Sequence, residues 1–253
     1  MGIYFCDKNF TVTQKIIRSF DKNGFLILKN FLTHDEIVAI QQQILELSTA
    51  INGKYNFLIG EHIDQHLLKL LTQKKIKQSQ LYDRLQHIPG ILALPSNLKI
   101  LNLAKQLLRA KYLGIWPRIQ LRFDIFGDRW NVINWHNDYM YNRGTESSIT
   151  FWIPMVHITK KMGPIKLARG SHRQEYIFIQ IQNAKFDFTL SQENIDSLDL
   201  LEHNEYLPGD ICILHSKTIH TGCLNEDQNR ARLTCIFRLQ DLTKLELNHE
   251  NER

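Results

Sequence analysis

The chain has 253 residues, of which 43% are hydrophobic and 23% are charged, a balance that is typical of a globular protein and excludes a disordered or low-complexity chain. The formal net charge is +5, from 31 Lys and Arg against 26 Asp and Glu. Such a mild surplus indicates a solvated surface, so we expect no binding to nucleic acid. We expect a small-molecule substrate instead, and the positive net charge suits an anionic molecule better than it suits nucleic acid.

Neither a membrane segment nor a disulfide framework is expected. No run approaches the roughly 20 apolar residues of a membrane helix, and the N-terminus has no apolar stretch long enough for a signal peptide. The cysteines are sparse, show no metal-ligand spacing, and are expected to be buried thiols in a reducing compartment. They are Cys6, Cys212, Cys223 and Cys235. We therefore expect a cytoplasmic protein without membrane contact, and the sequence indicates no oligomeric state.

The first elements in chain order are a short helix, a strand and a longer helix. Residues 11–23 suggest the first helix, and the apolar run FLILKNF after Gly24 suits a strand. Thr33 and Glu36 then form a capping box, in which each side chain can accept from the other residue's backbone N–H. A helix with apolar positions at helical spacing is predicted to follow them.

A change of pattern near the middle divides the chain into a helical and a β part. Apolar spacing predicts helices over residues 61–86 and 97–109. Beyond them, short runs rich in Ile, Phe, Thr and Trp alternate with turn residues, which predicts a sandwich or barrel. These runs are RIQLRFDIF, SSITFWIPMVHI, EYLPGDICILHS and RLTCIFRL. We expect one domain over residues 1–253, mainly β with flanking helices (α+β), with a helical part at about 1–115 and a β core at about 116–240.

The pattern His-x-Asp occurs twice, and only the second copy is a candidate metal site. His62 and Asp64 lie in a helical pattern, where residues two apart point about 200° apart around the axis and cannot share an ion. His136 and Asp138 lie in the extended, turn-rich stretch WHNDY, where residues i and i+2 face the same side. We interpret the first copy as a chance occurrence.

A second histidine spacing, His62 and His66, places both rings on one helix face, as in the zinc motif HExxH. The intervening residues are IDQ, so the Glu that follows the first His of that motif is missing, and no third ligand lies nearby. We expect this pair to face solvent.

A third ligand for His136 and Asp138 must come from a distant part of the chain, and His220 is the candidate. Two imidazoles and one carboxylate on one face of an octahedron bind Fe(II) and leave positions open for a cosubstrate and dioxygen. The alternative is that His220 packs in a β core or ends a hairpin, as a lone histidine in a β segment often does.

The strand that follows His220 carries a candidate anion site. Arg232 and Thr234 share one face of that strand, where a guanidinium and a hydroxyl suit the distal carboxylate of 2-oxoglutarate. A buried Arg without an anion is costly, but on an edge strand both groups would face water. Arg230 has the same parity and is an alternative anchor.

Together these residues resemble the phytanoyl-CoA dioxygenase family of Fe(II)- and 2-oxoglutarate-dependent oxygenases. The likeness runs through most of the chain, in the order NGFLILKNFLTHDEI, WHNDY, SITFWIPM, ARGSH, PGD, and His220 followed by Asn225. The resemblance implies a double-stranded β-helix (jelly-roll, cupin-like) core packed by N-terminal helices. It also implies that His136, Asp138 and His220 are the iron ligands and the catalytic centre.

The resemblance assigns the cosubstrate pocket by position. Ser148 or Thr150, on the strand after WHNDY, and Gln120, on the strand before it, resemble family positions that line this pocket. With Arg232 and Thr234 they form the expected 2-oxoglutarate contacts.

One position departs from the family pattern. The carboxylate-binding Arg of the family commonly stands eleven residues after the distal His, and that position is Ala231 here. A one-residue insertion in the turn would bring Arg232 into register, and Arg238 fits the way some members continue. We therefore prefer Arg232 as the anchor and keep Arg230 in reserve.

The resemblance implies a dioxygenase that uses Fe(II), 2-oxoglutarate and dioxygen to hydroxylate a small organic substrate of natural-product, amino-acid or acyl type, with release of succinate and carbon dioxide. Related halogenases replace the carboxylate ligand by a small residue, and Asp138 is present here, so we do not expect halogenation. The alternatives are a zinc hydrolase with the same three ligands and a non-catalytic member of the fold that binds a small ligand.

Overall fold

A computed structural model of the protein describes residues 2–7, 10–52, 62–129, 132–142, 144–181 and 188–245. Within these ranges the helices are α1 (Gln14–Asn23), α2 (His34–Asn52), α3 (Ile63–Thr72), α4 (Gln78–Leu85), α5 (Pro89–Ala93), α6 (Leu98–Leu108), α7 (Asp138–Asn142) and α8 (Gln192–Asp196). The strands are β1 (Ile3–Phe5), β2 (Phe25–Lys29), β3 (Leu113–Ile115), β4 (Gln120–Asp124), β5 (Ser148–Pro154), β6 (Lys166–Ala168), β7 (Phe178–Gln180), β8 (Phe188–Leu190), β9 (Leu200–Leu201), β10 (Ile211–His215), β11 (His220–Thr221) and β12 (Arg232–Asp241). About 38% of the chain is helical and 24% is strand, which confirms the predicted α+β class.

Local capping contacts explain where the first helices begin and end. The Thr13 hydroxyl accepts from the backbone N of Ile16 at 3.4 Å at the start of α1. Gly24 ends this helix with a φ of 79°, a left-handed conformation that glycine adopts without steric cost. The predicted capping box opens α2, since Thr33 N donates to Glu36 Oε2 at 2.7 Å and Glu36 N donates to Thr33 Oγ1 at 3.2 Å.

The larger sheet forms one wall of the jelly roll. Its strand order is β1-β2-β10-β5-β12-β3, and β4 also pairs with β12. In this register Arg232 lies opposite Asp124 of β4, and Arg238 lies opposite Thr150 of β5. Because alternate residues of a strand face the same side, Arg232, Arg238 and their partners all point to one face of the sheet.

A smaller sheet carries the distal histidine. It has the order β11-β6-β9, and β7 and β8 form a separate pair. His220 of β11 pairs with His136 through an isolated antiparallel bridge. Side chains from both sheets, among them His220 and Arg232, line one inner cavity. This arrangement confirms the predicted jelly-roll core.

The N-terminal helices cover the other face of the larger sheet. One continuous apolar cluster joins Ile44 of α2, Leu67 of α3 and Leu85 of α4 to Phe151 of β5. Phe151 points away from its neighbour Thr150, so the helices pack on the side opposite to the inner cavity. Each such fully buried side chain stabilises the fold by about 1.5–3 kcal/mol. None of the helices in the described ranges has the length and apolar character needed to cross a membrane.

The histidine pair on α3 does not face solvent as a unit, so that prediction is wrong. His62 is exposed just before the helix, but His66 is fully buried on the same side as Leu67. Asp64 is also fully buried and accepts from Arg230 Nε at 2.6 Å and Nη2 at 3.1 Å. The spacing rule placed the two histidines on one helix face, but it could not show that α3 is packed between the core and the Arg230 segment.

Arg230 is therefore a structural residue, and its replacement tests that role. Arg230→Ala leaves the Asp64 carboxylate buried without its cation. We expect the free energy of unfolding to fall by about 3 kcal/mol. This value is at the lower end of the range for a broken buried ion pair, because Arg230 is partly exposed. Arg109→Ala is the matched control, because its ion pair with Asp21 lies at the surface and contributes less than about 1 kcal/mol. Urea denaturation measures both, and equal losses would contradict the assignment.

Candidate active site

Three buried side chains meet at the edge between the two sheets. His136, Asp138 and His220 are 4%, 5% and 7% exposed, and each offers one ligand atom within 4.8 Å of the others. Backbone hydrogen bonds hold the two histidines together, from His136 N to His220 O at 3.0 Å and from His220 N to His136 O at 2.9 Å. His220 is thus adjacent to His136 and Asp138, as the sequence analysis predicted, although it lies far from them along the chain.

His136 and Asp138 do not share a strand. The sequence-based prediction had paired them because alternate residues of an extended segment face the same side. His136 lies in the bridge to His220, whereas Asp138 is the first residue of α7. The chain turns between them, and Asn137 fixes this turn by accepting from the backbone N of Met140 at 3.0 Å. The side chains converge because the helix begins there, and not because of strand alternation.

The ring orientation of both histidines leaves one nitrogen of each for a ligand. His136 Nδ1 lies 2.6 Å from the carbonyl oxygen of Asn134, and His220 Nδ1 lies 2.9 Å from that of Thr218. A carbonyl can only accept, so each Nδ1 carries the proton and donates. Each Nε2 then keeps its lone pair, as a metal-binding imidazole requires.

The electrostatic surroundings keep these rings neutral. Burial, together with the nearby His220, lowers the pKa of His136 to about 3. Burial also lowers the pKa of His220, against the opposing effect of the Asp138 carboxylate. Both imidazoles are therefore neutral at neutral pH, with the proton on Nδ1 and the lone pair on Nε2, which is the form that binds a metal.

The Asp138 carboxylate is fixed at both oxygens. Arg238 Nη2 donates to Oδ1 at 2.7 Å, and the Thr150 hydroxyl donates to Oδ2 at 2.5 Å. Burial alone would raise the pKa of Asp138, but Arg238, His220 and His136 outweigh it and hold the pKa below its usual range. The group is therefore an oriented anion.

Two of these contacts have roles that the sequence did not indicate. Thr150, which with Ser148 was a candidate to contact the cosubstrate, lines the inner cavity and also donates to Asp138. Arg238 was noted only for its place in a family pattern. Its position opposite Thr150 in the β5–β12 register is the feature that brings both groups to Asp138, and that register depends on pairing between distant strands.

Beside this centre, Asp124 links two arginines. Its Oδ1 accepts from Arg122 Nη2 and its Oδ2 accepts from Arg232 Nε, both at 3.0 Å. Two guanidinium groups and one carboxylate give this group a net charge of +1, and both arginines line the inner cavity. Sequence reasoning found Arg232 but missed Arg122, although Arg122 has the strand parity of the predicted Gln120.

Arg232 is held tightly in this position. Besides Asp124, its Nη1 donates to the carbonyl oxygens of Met162 at 3.2 Å and Cys223 at 2.9 Å, and also to that of Gly163. Its Nη2 points toward Gly222, where an added Cβ would lie 4.0 Å away. Nη2 also lies 3.0 Å from Asp124 Oδ2, so Asp124 is bound by both Nε and Nη2 of this guanidinium.

The inner cavity adjoins a wider one. The inner cavity, which contains the three converging side chains, has a volume of about 60 Å³. The outer cavity has a volume of about 450 Å³, and Gln120, Arg122 and Ile133 line both. These shared side chains lie where the two cavities adjoin, and we call this boundary the passage.

The remaining expected cosubstrate contacts differ in position. Gln120 lies in the passage, as just described. Ser148 and Thr234 are not among the described residues that line the two cavities. Ser148 makes backbone hydrogen bonds to Glu146 and Ser216 at the start of β5. Thr234 shares the strand face of Arg232, and its hydroxyl is buried without a hydrogen-bond partner in the described part of the chain.

The chain is similar to proteins of known family and structure. The family profile described as phytanoyl-CoA dioxygenase (PhyH) matches residues 20–231. The structure is similar to EctD from S. alaskensis with 2-oxoglutarate and 5-hydroxyectoine, at 14% identity and a TM-score of 0.66 over 95% of this chain and 80% of that one. It is also similar to SnoK, a non-heme alpha ketoglutarate dependent carbocyclase from nogalamycin biosynthesis, at 15% identity and a TM-score of 0.62 over 91% and 84%. A third similar structure is EvdO2 from Micromonospora carbonacea var. aurantiaca, at 14% identity and a TM-score of 0.61 over 96% of each chain. At these identities the structural similarity shows a shared fold.

Proposed function

The chain belongs to the phytanoyl-CoA dioxygenase family and is a non-haem iron, 2-oxoglutarate-dependent dioxygenase, and from this premise we propose that it hydroxylates a small organic substrate with release of succinate and carbon dioxide. The observation that carries the proposal is the convergence of His136, Asp138 and His220 in one buried group. Fe(II), 2-oxoglutarate and dioxygen are the reactants that this class uses.

The donor set fits Fe(II). Two imidazole Nε2 atoms and one carboxylate oxygen form the ligand combination of non-haem iron oxygenases, which leaves positions open on the metal. We assign the ligands to His136, Asp138 and His220. A bound Fe(II) ion would supply the chemistry that activates dioxygen, with 2-oxoglutarate as the source of electrons.

The protein's own contribution is orientation and exclusion of water. Backbone carbonyls fix both imidazole rings, and Arg238 and Thr150 fix the carboxylate, so the three donors converge before any ligand binds. All three side chains are buried, which limits the water that could compete at the reacting positions.

For the distal carboxylate of 2-oxoglutarate we propose the group formed by Arg232 and Arg122. Their shared Asp124 neutralises only one of the two cations, so a positive charge remains at the cavity wall, where an anion is favoured. We prefer this group to Arg230, which is bound to Asp64 and is not among the described residues that line the inner cavity. Gln120, in the passage, is proposed as an additional polar contact.

One orphaned donor supports a ligand with acceptor atoms in this cavity. Arg238 Nε is buried and has no hydrogen-bond partner among the described residues, although Arg238 lines the inner cavity. A buried donor without a partner costs about 1–3 kcal/mol. A carboxylate or keto oxygen of 2-oxoglutarate would satisfy it.

The metal dependence of 2-oxoglutarate consumption tests the proposal against a zinc hydrolase. We expect the protein loaded with Fe(II) to convert 2-oxoglutarate to succinate under air, and the protein loaded with Zn(II) to form none, because zinc has no redox chemistry. Succinate is measured by mass spectrometry. Absence of succinate in both forms, with hydrolytic activity in the zinc form, would contradict the proposal.

The hydrogen bond from Thr150 gives a second prediction. Thr150→Val keeps the size of the side chain but removes the donor to Asp138 Oδ2, and loss of such an outer-shell contact lowers metal affinity roughly 10-fold or more. Competition with a chelator for Co(II) measures the affinity. Thr49→Val is the control, because the Thr49 hydroxyl donates to the carbonyl of Leu45 on α2. Equal Co(II) affinity in the two variants would contradict the role of Thr150.

A further inference from the structure

The lining of the outer cavity points to the class of substrate. This inference rests on the proposed function, because among the described residues the outer cavity adjoins the cavity of the reacting centre at Gln120, Arg122 and Ile133. One wall is α4, and the other is β4 with the residues before it. Its volume of about 450 Å³ is within the usual range of small-molecule sites, roughly 300–1,000 Å³.

Most of the side chains that line the outer cavity carry a polar group. Small-molecule sites are lined predominantly by apolar side chains with a few polar groups. Here Ile133 is the one aliphatic side chain among the described lining residues, and the others carry amide, hydroxyl, guanidinium or carboxylate groups. A long acyl chain or a polycyclic hydrocarbon would leave these groups without hydrogen-bond partners, which is costly. The cavity therefore fits a small polar molecule.

The lining of the outer cavity contains two cations and two anions among the described residues. Arg118 and Arg122 are the cations, and Asp83 and Asp128 are the anions. Arg122 is bound to Asp124, and Asp128 accepts from Gln78 Nε2 at 2.7 Å. These two groups are already engaged by the protein.

Arg118 and Asp83, in contrast, are exposed at the cavity surface and have no ion-pair partner within the described residues. Arg118 is held by the amide of Gln120, whose oxygen accepts from Arg118 Nε and Nη2 at 3.2 Å and from the Tyr82 hydroxyl at 3.3 Å in the amide orientation that satisfies all three groups. The remaining donors of Arg118 are left for a ligand. The cavity thus offers one available cation on the β4 side and one available anion on α4.

We propose that the substrate is a small zwitterion of the amino-acid type. Its carboxylate binds Arg118, its ammonium or amidinium group binds Asp83, and its carbon skeleton extends past Gln120 and Ile133 toward His136 and His220. A cation and an anion on opposite walls select a molecule that carries both charges, because a ligand with only one leaves the other wall unpaired.

The test uses matched sets of defined compounds. The polar L-α-amino acids are compared with their N-acetyl derivatives and their methyl esters, which remove one charge each. The first readout is succinate formation above the level without substrate. The second is the thermal denaturation midpoint of the protein loaded with Mn(II) and 2-oxoglutarate, which does not depend on turnover. A binding zwitterion at ten times its Kd should raise this midpoint by about 3 °C.

Two variants connect the effect to the cavity. Asp83→Asn and Arg118→Gln should each raise KM for the zwitterion roughly 10- to 100-fold, as expected for a lost charged hydrogen bond. Asp83→Asn, which does not touch the residues assigned to 2-oxoglutarate, should leave KM for 2-oxoglutarate unchanged. Arg84→Gln, on the same helix as Asp83 but outside the cavity lining, and Asp35→Asn on α2 are the controls. The unchanged value for 2-oxoglutarate distinguishes a substrate site from a cosubstrate site.

Three results would overturn the inference. They are equal stimulation by blocked and free amino acids, no effect of any zwitterion on either readout, and variants that behave like their controls. In each of these cases a wild-type protein that still makes succinate leaves the proposed function standing. If the protein makes no succinate at all, the proposed function fails, but the denaturation midpoints still decide whether the cavity binds zwitterions.

Discussion

Replacement of Asp138 by Ala should abolish 2-oxoglutarate-dependent succinate formation. The carboxylate is the one anionic donor of the three, and it is held as an anion by Arg238 and Thr150. Loss of an outer-shell partner already costs up to about 100-fold in affinity or activity, so loss of a ligand should exceed that. Succinate release at saturating Fe(II) and 2-oxoglutarate measures the effect.

The variant also leaves Arg238 buried without its anion, so a conservative second variant is needed. Asp138→Asn keeps the size of the side chain and can still accept from Arg238, while its neutral amide is a poor metal ligand. We expect it to be folded, as judged by circular dichroism and denaturation, and also inactive. If either variant is folded and retains more than a tenth of the wild-type rate, Asp138 is not the ligand we assign.

The second large effect is expected at Arg232. Arg232→Lys keeps the positive charge but loses the planar fork that holds Asp124 at the cavity wall, and Lys cannot replace Arg where two hydrogen bonds are made at once. We expect the Kd for 2-oxoglutarate to rise roughly 10- to 100-fold, as for a lost hydrogen bond to a charged group. Calorimetric titration of the Mn(II)-loaded protein with 2-oxoglutarate gives the value.

Two companion variants make this result specific. Arg122→Gln should weaken 2-oxoglutarate binding as well, because Arg122 shares Asp124 with Arg232 and contributes the second cation. Arg230→Lys should leave the Kd unchanged, because Arg230 is bound to Asp64 outside the cavity. A normal Kd in Arg232→Lys, or a raised one in Arg230→Lys, would reverse the assignment of the anchor.

Features set by neighbouring residues could be predicted from the sequence. The capping box at Thr33 and Glu36 began a helix where expected, because both partners lie within one turn. The strand over Arg232 and Thr234 was also expected, and β12 begins at Arg232. These features depend on local hydrogen bonds and periodicity, which a single sequence displays.

Features set by contacts between distant elements could not be predicted. The role of Arg238 depends on the register of β12 against β5, and the burial of His66 depends on how α3 packs. The first His-x-Asp copy shows the same limit, because its spacing argued against a metal pair but gave no sign that Asp64 is the buried partner of Arg230. Neither the register of two strands nor the partner of a buried charge is encoded in spacing alone.

The most direct test of the central claim is anaerobic titration of the metal-free protein with Fe(II) and 2-oxoglutarate. We expect the weak visible absorption band of an iron–keto acid complex to form in the wild type and to require both additions. Asp138→Ala should show no band, and Arg232→Lys should show it only at higher 2-oxoglutarate concentration. Iron binding without the band would contradict the cosubstrate site, and a protein that binds no iron would contradict the assignment of His136, Asp138 and His220 as a metal centre.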